Sequence, residues 1–114
     1  MLVKGYNNTI TREEFVKKII LSNLPVIVEG KKDVAKLKKL GVHSVIQLSQ
    51  KPLCSFAENI AQDYIEVILL MDNDKEGKKL YSKLKTEFKH HGINVNEEFQ
   101  EDLKKLKVSH VEGL

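Results

Sequence analysis

Apolar residues along this chain recur at two periods, and the two alternate. Phe15, Ile19 and Ile20 fall on one helical face after Thr11-Arg12-Glu13-Glu14, which has the form of a capping box. Asn23 and Pro25 stop this helix, which is expected over about 11–23. A β-favouring run, Val26–Glu29, follows and is closed by Gly30. Val34, Leu37 and Leu40 then return to helical spacing over Lys31–Leu40, with Gly41 placed as the C′ residue. The alternation continues with a strand around Val45–Leu48, a short helix in SFAENIAQ and a third strand in IEVILLM. A long helix, about Lys75–His91, carries Leu80, Leu84 and Phe88 at i, i+4 and i+8 and ends at Gly92. GINVN offers a fourth short strand. EEFQEDLKKL makes a last helix, about 97–107, with acids in its first turn and lysines in its last, as the helix dipole prefers.

Strand and helix in regular alternation imply parallel strands joined by right-handed crossovers. The expected fold class is α/β: a Rossmann-like three-layer fold with a central four-stranded parallel sheet and extra N- and C-terminal helices. The unbroken oil of ILLM fits a central strand covered on both faces. The 114 residues suit one domain, 1–114, with its core at about 24–96. Hydrophobic residues at 41% and charged residues at 31% describe an ordinary soluble chain, and no apolar run is long enough to cross a bilayer. A cytoplasmic protein without a membrane partner is the expectation. Cys54 is the single cysteine, so a disulfide framework and a thiolate metal cluster are excluded, and a small, partly buried filler is its expected role.

The stretch Val67–Gly77, VILLMDNDKEG, concentrates charge at the end of the most hydrophobic segment. Side chains two apart on an extended chain point the same way, so Asp72 and Asp74 can project together while Asn73 turns away. Glu29 stands at the matching end of PVIVEG, and in a parallel sheet both ends share the carboxyl edge where open α/β folds keep their ligand sites. With strand order 2-1-3-4 the first and third strands are neighbours, and three carboxylates converge at the switch point. Two carboxylates about 5 Å apart repel by roughly 3 kcal/mol at an effective dielectric of about 20. Either one keeps a proton or a cation sits between them. Oxygen ligands alone favour a hard ion, Mg²⁺, with Mn²⁺ as a substitute. The plainer reading is that Asp74 merely caps the helix beginning at Lys75. Gly30 and Gly77 are each placed where a tight turn or a close backbone approach is expected.

Other acidic motifs fit poorly. DNDKEGK opens like an EF-hand loop, yet position 12 is Lys83 and a strand precedes it. The DxD of haloacid-dehalogenase phosphatases is followed by Thr or Val where this chain has Glu76. A small-molecule phosphatase or nucleotide-binding protein has no P-loop or GxGxxG to support it.

VIVEGKKDV followed by ILLMDNDKEG resembles the Toprim domain over roughly residues 24–96, and the chain with its KVSHVEGL tail is most similar to small stand-alone archaeal Toprim proteins. The resemblance implies Glu29 as general acid or base and as a metal ligand together with Asp72 and Asp74, which hold Mg²⁺, and Glu76 as an additional candidate ligand. Lys31 and Asp33 match the EGKxD continuation of that motif. It implies a nucleic-acid substrate or partner and phosphoryl-transfer chemistry of a nuclease-like or processing kind. A non-enzymatic module that binds nucleic acid or a protein partner is the alternative, and a homodimer is compatible with either. Topoisomerases of this family place a nucleophilic tyrosine on a separate domain, so Tyr6, Tyr64 and Tyr81 are expected to serve as packing or rim residues. The formal charge of +3 permits nucleic-acid binding, and Lys31, Lys32, Lys75 and Lys78, nearest the strand ends, are the candidate phosphate contacts. His90 and His91 read as structural residues at a helix C-terminus, and His43 and His110 carry no pattern.

Overall fold

Thr11 begins the ordered helix α1, Arg12–Ser22. Its hydroxyl accepts from the Glu14 N–H at 3.0 Å, and the Glu14 carboxylate accepts from the Thr11 N–H at 2.9 Å, which completes the capping box. The computed structural model describes residues 10–114, so Tyr6 lies outside the described residues. Asn23, in the left-handed region at φ 60°, ends α1. The elements that follow are β1 Val26–Val28, α2 Lys31–Lys39, β2 Val45–Gln47, α3 Leu53–Ala61, β3 Glu66–Leu69, α4 Lys75–His90, β4 Asn94–Val95 and α5 Glu98–Lys105. A 3₁₀ turn, Val111–Gly113, closes the chain. Gly41 and Gly92, at φ 98° and 77°, supply the turns after α2 and α4. Among the described residues no helix is long and apolar enough to cross a membrane.

The four strands form one parallel sheet in the order β2-β1-β3-β4. Helices cover both faces. Val26, Val28, Ile68 and Leu70 point into one core with Phe15, Ile19, Leu37, Phe99 and Leu103, which come from α1, α2 and α5. Ile27, Val67, Leu69 and Met71 point into the other with Phe56, Ile60, Leu84 and Phe88 from α3 and α4. This division by odd and even position is the two-residue period of a strand, and it explains why VILLM reads as continuous oil. All five residues of that run are wholly buried. Tyr64 and Tyr81 pack against the second core.

Two devices hold the chain where β3 runs out. Beyond Leu70, whose N–H donates to the Ile27 carbonyl, the ladder has no further strand to bond. Gln100 of α5 replaces it. The Met71 N–H donates to Gln100 Oε1 at 3.1 Å, and Gln100 Nε2 donates to the Met71 carbonyl at 3.1 Å. A buried backbone pair is thereby satisfied by one side-chain amide. The second device is Gly77, in the first turn of α4. A Cβ there would stand 1.9 Å from the Asp72 carbonyl oxygen, so the helix can reach this close to the preceding loop only with glycine. Gly30 differs from expectation: it is extended at φ −138°, and an added Cβ would meet its nearest atom, Asp33 Oδ2, at 4.0 Å.

Gly77→Ala is therefore expected to cost about 3 kcal/mol, the top of the usual overpacking range, because the clash is with rigid backbone. Urea unfolding checks this. A loss under about 1 kcal/mol would mean the loop yields freely.

Candidate metal centre

The pairing of β1 with β3, Val26 opposite Ile68 and Ile27 opposite Leu69, carries both strands out of the sheet at one edge. Glu29 leaves from the end of β1, and Asp72 and Asp74 from the end of β3. The Glu29 and Asp72 carboxyl groups come within hydrogen-bonding reach, a contact two carboxyls make only when one holds a proton. Burial, then the charge of Asp72 and its hydrogen bond, then the charges of Asp33 and Asp74, push Glu29 up to about 7 from 4.5. The sequence-based picture of acids converging at the switch point describes this edge.

Asp74 has two tasks at once. It caps α4, its Oδ1 accepting from the Gly77 N–H at 2.7 Å. It also lies in a cluster with Asp72 and His110, one ligand atom from each falling within 4.8 Å of the others. Capping engages one carboxylate oxygen and leaves the second, so the plain reading of Asp74 and the chemical one are compatible. Asp72 is the hub. Its Oδ2 lies 3.2 Å from His110 Nδ1, and its Oδ1 accepts from the Val111 N–H at 3.2 Å. The hydrogen bond to Asp72, and then its charge, raise His110 above the ordinary imidazole value. The donor set of two carboxylates and a neighbouring carboxyl, open to one side, fits a divalent cation.

Asp33 is the buried acid of the group, 8% exposed. Its Oδ2 accepts from the Gly30 N–H at 3.2 Å, and it also takes a hydrogen bond from the Glu112 backbone. Burial raises its pKa above the ordinary carboxylate value, while the Gly30 hydrogen bond opposes the rise. Asp33 thus ties the turn after β1 to the C-terminal segment.

A cleft of about 660 Å³ opens over the acids, and Glu29, Asp33, Asp72, His110 and Glu112 line it. Lys31, Lys32, Gln47 and Gln50 line it as well. Of the four lysines singled out in the sequence, Lys31 and Lys32 therefore border the cleft. Lys75 and Lys78 are exposed on the first turn of α4, outside its lining, as is Glu76. Sequence reasoning missed His110, Glu112 and Gln100, which reach the edge only through tertiary folding. The one local signal was Gln100 itself, a polar residue among the buried positions of α5 between Phe99 and Leu103. Cys54 also departs from expectation: it is exposed, with its Sγ 3.9 Å from His91 Nε2, because α3 lies against α4.

Comparison with known proteins follows the same residues. The family model of the Toprim domain matches residues 25–111. A UPF0292 protein of Methanocaldococcus jannaschii is 39% identical over 88 residues, which are 75% of this chain and 69% of that one. A UPF0292 protein of Pyrococcus horikoshii is 39% identical over 90 residues, 78% of this chain and 67% of its own. Among solved structures, a protein from Aquifex aeolicus superposes with a TM-score of 0.85 at 30% identity, covering 91% of this chain and 98% of that one. With the glutamate after its first strand, the two aspartates after its third and a family match running through both, this chain belongs to the Toprim domain family.

Proposed function

We propose that this chain is a magnesium-dependent protein acting on nucleic-acid phosphodiesters, with Asp72 and Asp74 as metal ligands and Glu29 as the residue that moves the proton. The Toprim domain is a metal-binding fold associated with nucleic acid, and homologues of this chain occur in archaea. What supports the finer reading is the closeness of the Glu29 and Asp72 carboxyl groups in a half-buried setting that favours the protonated form of Glu29. A carboxyl group pushed up to about 7 is poised to give or take a proton near neutral pH, which an ordinary surface glutamate is not. A divalent ion bound at the aspartates would polarise a phosphodiester and offset the charge that builds on its oxygens, a role that Mn²⁺ also fills.

The residues of the chain supply the rest. Protonated Glu29 can hand its proton to a leaving oxygen, and once ionised it can take one from an attacking hydroxyl or water. Lys31 and Lys32, which line the cleft with the acids, are suited to hold phosphates beside the reacting one, and the exposed Lys75 and Lys78 at the start of α4 add positive charge outside it. The cleft is open, so a substrate would be gripped over a short length, and a protein partner or a second copy could lengthen the grip.

A second reading rests on the engagements of the aspartates. Asp74 caps a helix and Asp72 receives the Val111 N–H, so both have structural duties, as they would in a module that binds nucleic acid without cutting it. Incubation with labelled single- and double-stranded RNA and DNA in Mg²⁺ or Mn²⁺ separates the two. The enzyme reading expects cleavage that falls at least about 100-fold in Glu29→Gln and in Asp72→Asn/Asp74→Asn. Binding by all three proteins with cleavage by none would leave the module.

Glu29 also makes stability depend on pH in a definite direction. Its proton is held up to about pH 7 in the folded chain and is lost near the ordinary 4.5 in the unfolded one. The folded state therefore binds more protons between those values, and stability is full below about 4.5 and falls as pH rises through about 7. His110, also raised, adds a decline in the same direction above its ordinary 6.5. Thermal unfolding of metal-free protein is expected to show a falling Tm across this window relative to Glu29→Gln. Parallel profiles for the two proteins would remove Glu29 from the coupled pair.

A further inference from the structure

The segment after α5 belongs to neither acidic motif, yet it is built into the centre. Val108, Val111 and Leu114 are buried in the first core. The Ser109 carbonyl accepts from the Asn73 N–H at 2.7 Å, and the Val111 N–H donates to Asp72 Oδ1 at 3.2 Å. The Asp33 carboxylate holds the backbone of Glu112 from the other side. His110 lies between these ties, so its imidazole is brought to the acids by anchored backbone. Its Nδ1 stands 3.2 Å from Asp72 Oδ2, and its ligand atom shares the 4.8 Å cluster with those of Asp72 and Asp74. Ligands about 2.1 Å from one ion lie roughly 3 to 4 Å apart, so small side-chain adjustments bring all three onto it.

We infer that His110 is a third protein ligand of the centre, a nitrogen donor that biases it towards a transition ion such as Mn²⁺ or Co²⁺ over Mg²⁺. This rests on the metal site proposed above and changes its preferred ion from Mg²⁺ to a transition ion. Carboxylates alone suit Mg²⁺, which holds oxygen ligands and water and gains little from imidazole. Manganese and cobalt bind imidazole nitrogen well, and affinity for mixed oxygen and nitrogen donors rises along the transition series. Glu29, hydrogen-bonded to Asp72, stands beside this donor set as the proton carrier. The competing role for His110 is that of a simple ion-pair partner of Asp72. An ion-pair partner competes with every cation, so its removal tightens Mg²⁺ and Mn²⁺ alike. A ligand's removal weakens Mn²⁺ and leaves Mg²⁺ nearly unchanged.

The test titrates Mn²⁺ into the full chain and reads bound ion by electron paramagnetic resonance, with spin-echo detection of ¹⁴N coupling. Wild type is expected to show coupling from one coordinated imidazole, a result that needs no variant to fold. In His110→Ala the coupling is expected to vanish and Mn²⁺ affinity to fall about 10-fold or more. Mg²⁺ affinity, measured by competition, is expected to change by no more than about twofold. Mn²⁺ bound without nitrogen coupling, coupling that survives in His110→Ala, or tighter binding of both ions by that variant would each overturn the inference while leaving the aspartate site intact. Absence of Mn²⁺ binding, or binding indifferent to Asp72→Asn/Asp74→Asn, would overturn the metal site and the inference with it.

Discussion

The parallel pairing of β1 with β3 decides where the charge of this protein must lie. Two short strands, buried except for Glu66 in the middle of a sheet covered on both faces, leave it side by side and in the same direction. Glu29 and Asp72 therefore cannot avoid each other, and each is partly withdrawn from water. Desolvation and like charge both act against two ionised groups there, and the result is a proton retained on Glu29 to about pH 7. A protein built only for stability would have little reason to keep such a pair, since an amide in place of either acid relieves the repulsion.

The surroundings keep the acids in place instead of letting them part. Gln100 stands in for the strand that β3 lacks beyond Leu70, and Gly77 lets α4 begin directly against the Asp72 backbone. On the far side, the C-terminal segment bonds Asn73 and Asp72, and Asp33 clasps that segment to the turn after β1. Lys18 of α1 bridges to Asp102 and Glu98 at 2.7 and 2.6 Å, which fixes α5, the helix that carries Gln100. Each contact limits how far the carboxyl edge can relax. Rigid support of this kind keeps the centre's geometry in place before a ligand arrives.

Much of this was legible in the order of residues, and the reason is local. VILLM and PVIVEG reveal buried strands through composition, Thr11 with Glu14 announces a helix start, and DxD at a strand end restricts where two acids can point. The helix after the third strand begins at Lys75, as its periodicity implies, because Asp74 caps it. His110 and Gln100 were not legible, since each acts on a partner 29 or more positions away, Gln100 on Met71 and His110 on Asp72. No spacing rule links such pairs. Gly30 shows the opposite case: its place after Glu29 suggests a tight turn or a close backbone approach, whereas its backbone is extended with room for a Cβ and the close approach is at Gly77. Cys54 is a similar case: the local sequence suggests a partly buried filler, whereas the residue is exposed beside His91, 37 positions away at the end of α4.

The central claim is that the edge between β1 and β3 holds one divalent ion at the aspartates beside Glu29. Anomalous diffraction from crystals soaked in Mn²⁺ addresses it directly, by locating the ion without reference to activity. The account predicts a strong peak within bonding distance of Asp72 and Asp74, with the Glu29 carboxyl adjacent. Crystals that take up Mn²⁺ elsewhere on the chain, or show no peak at this edge while Glu29 and Asp72 remain in contact, would contradict it.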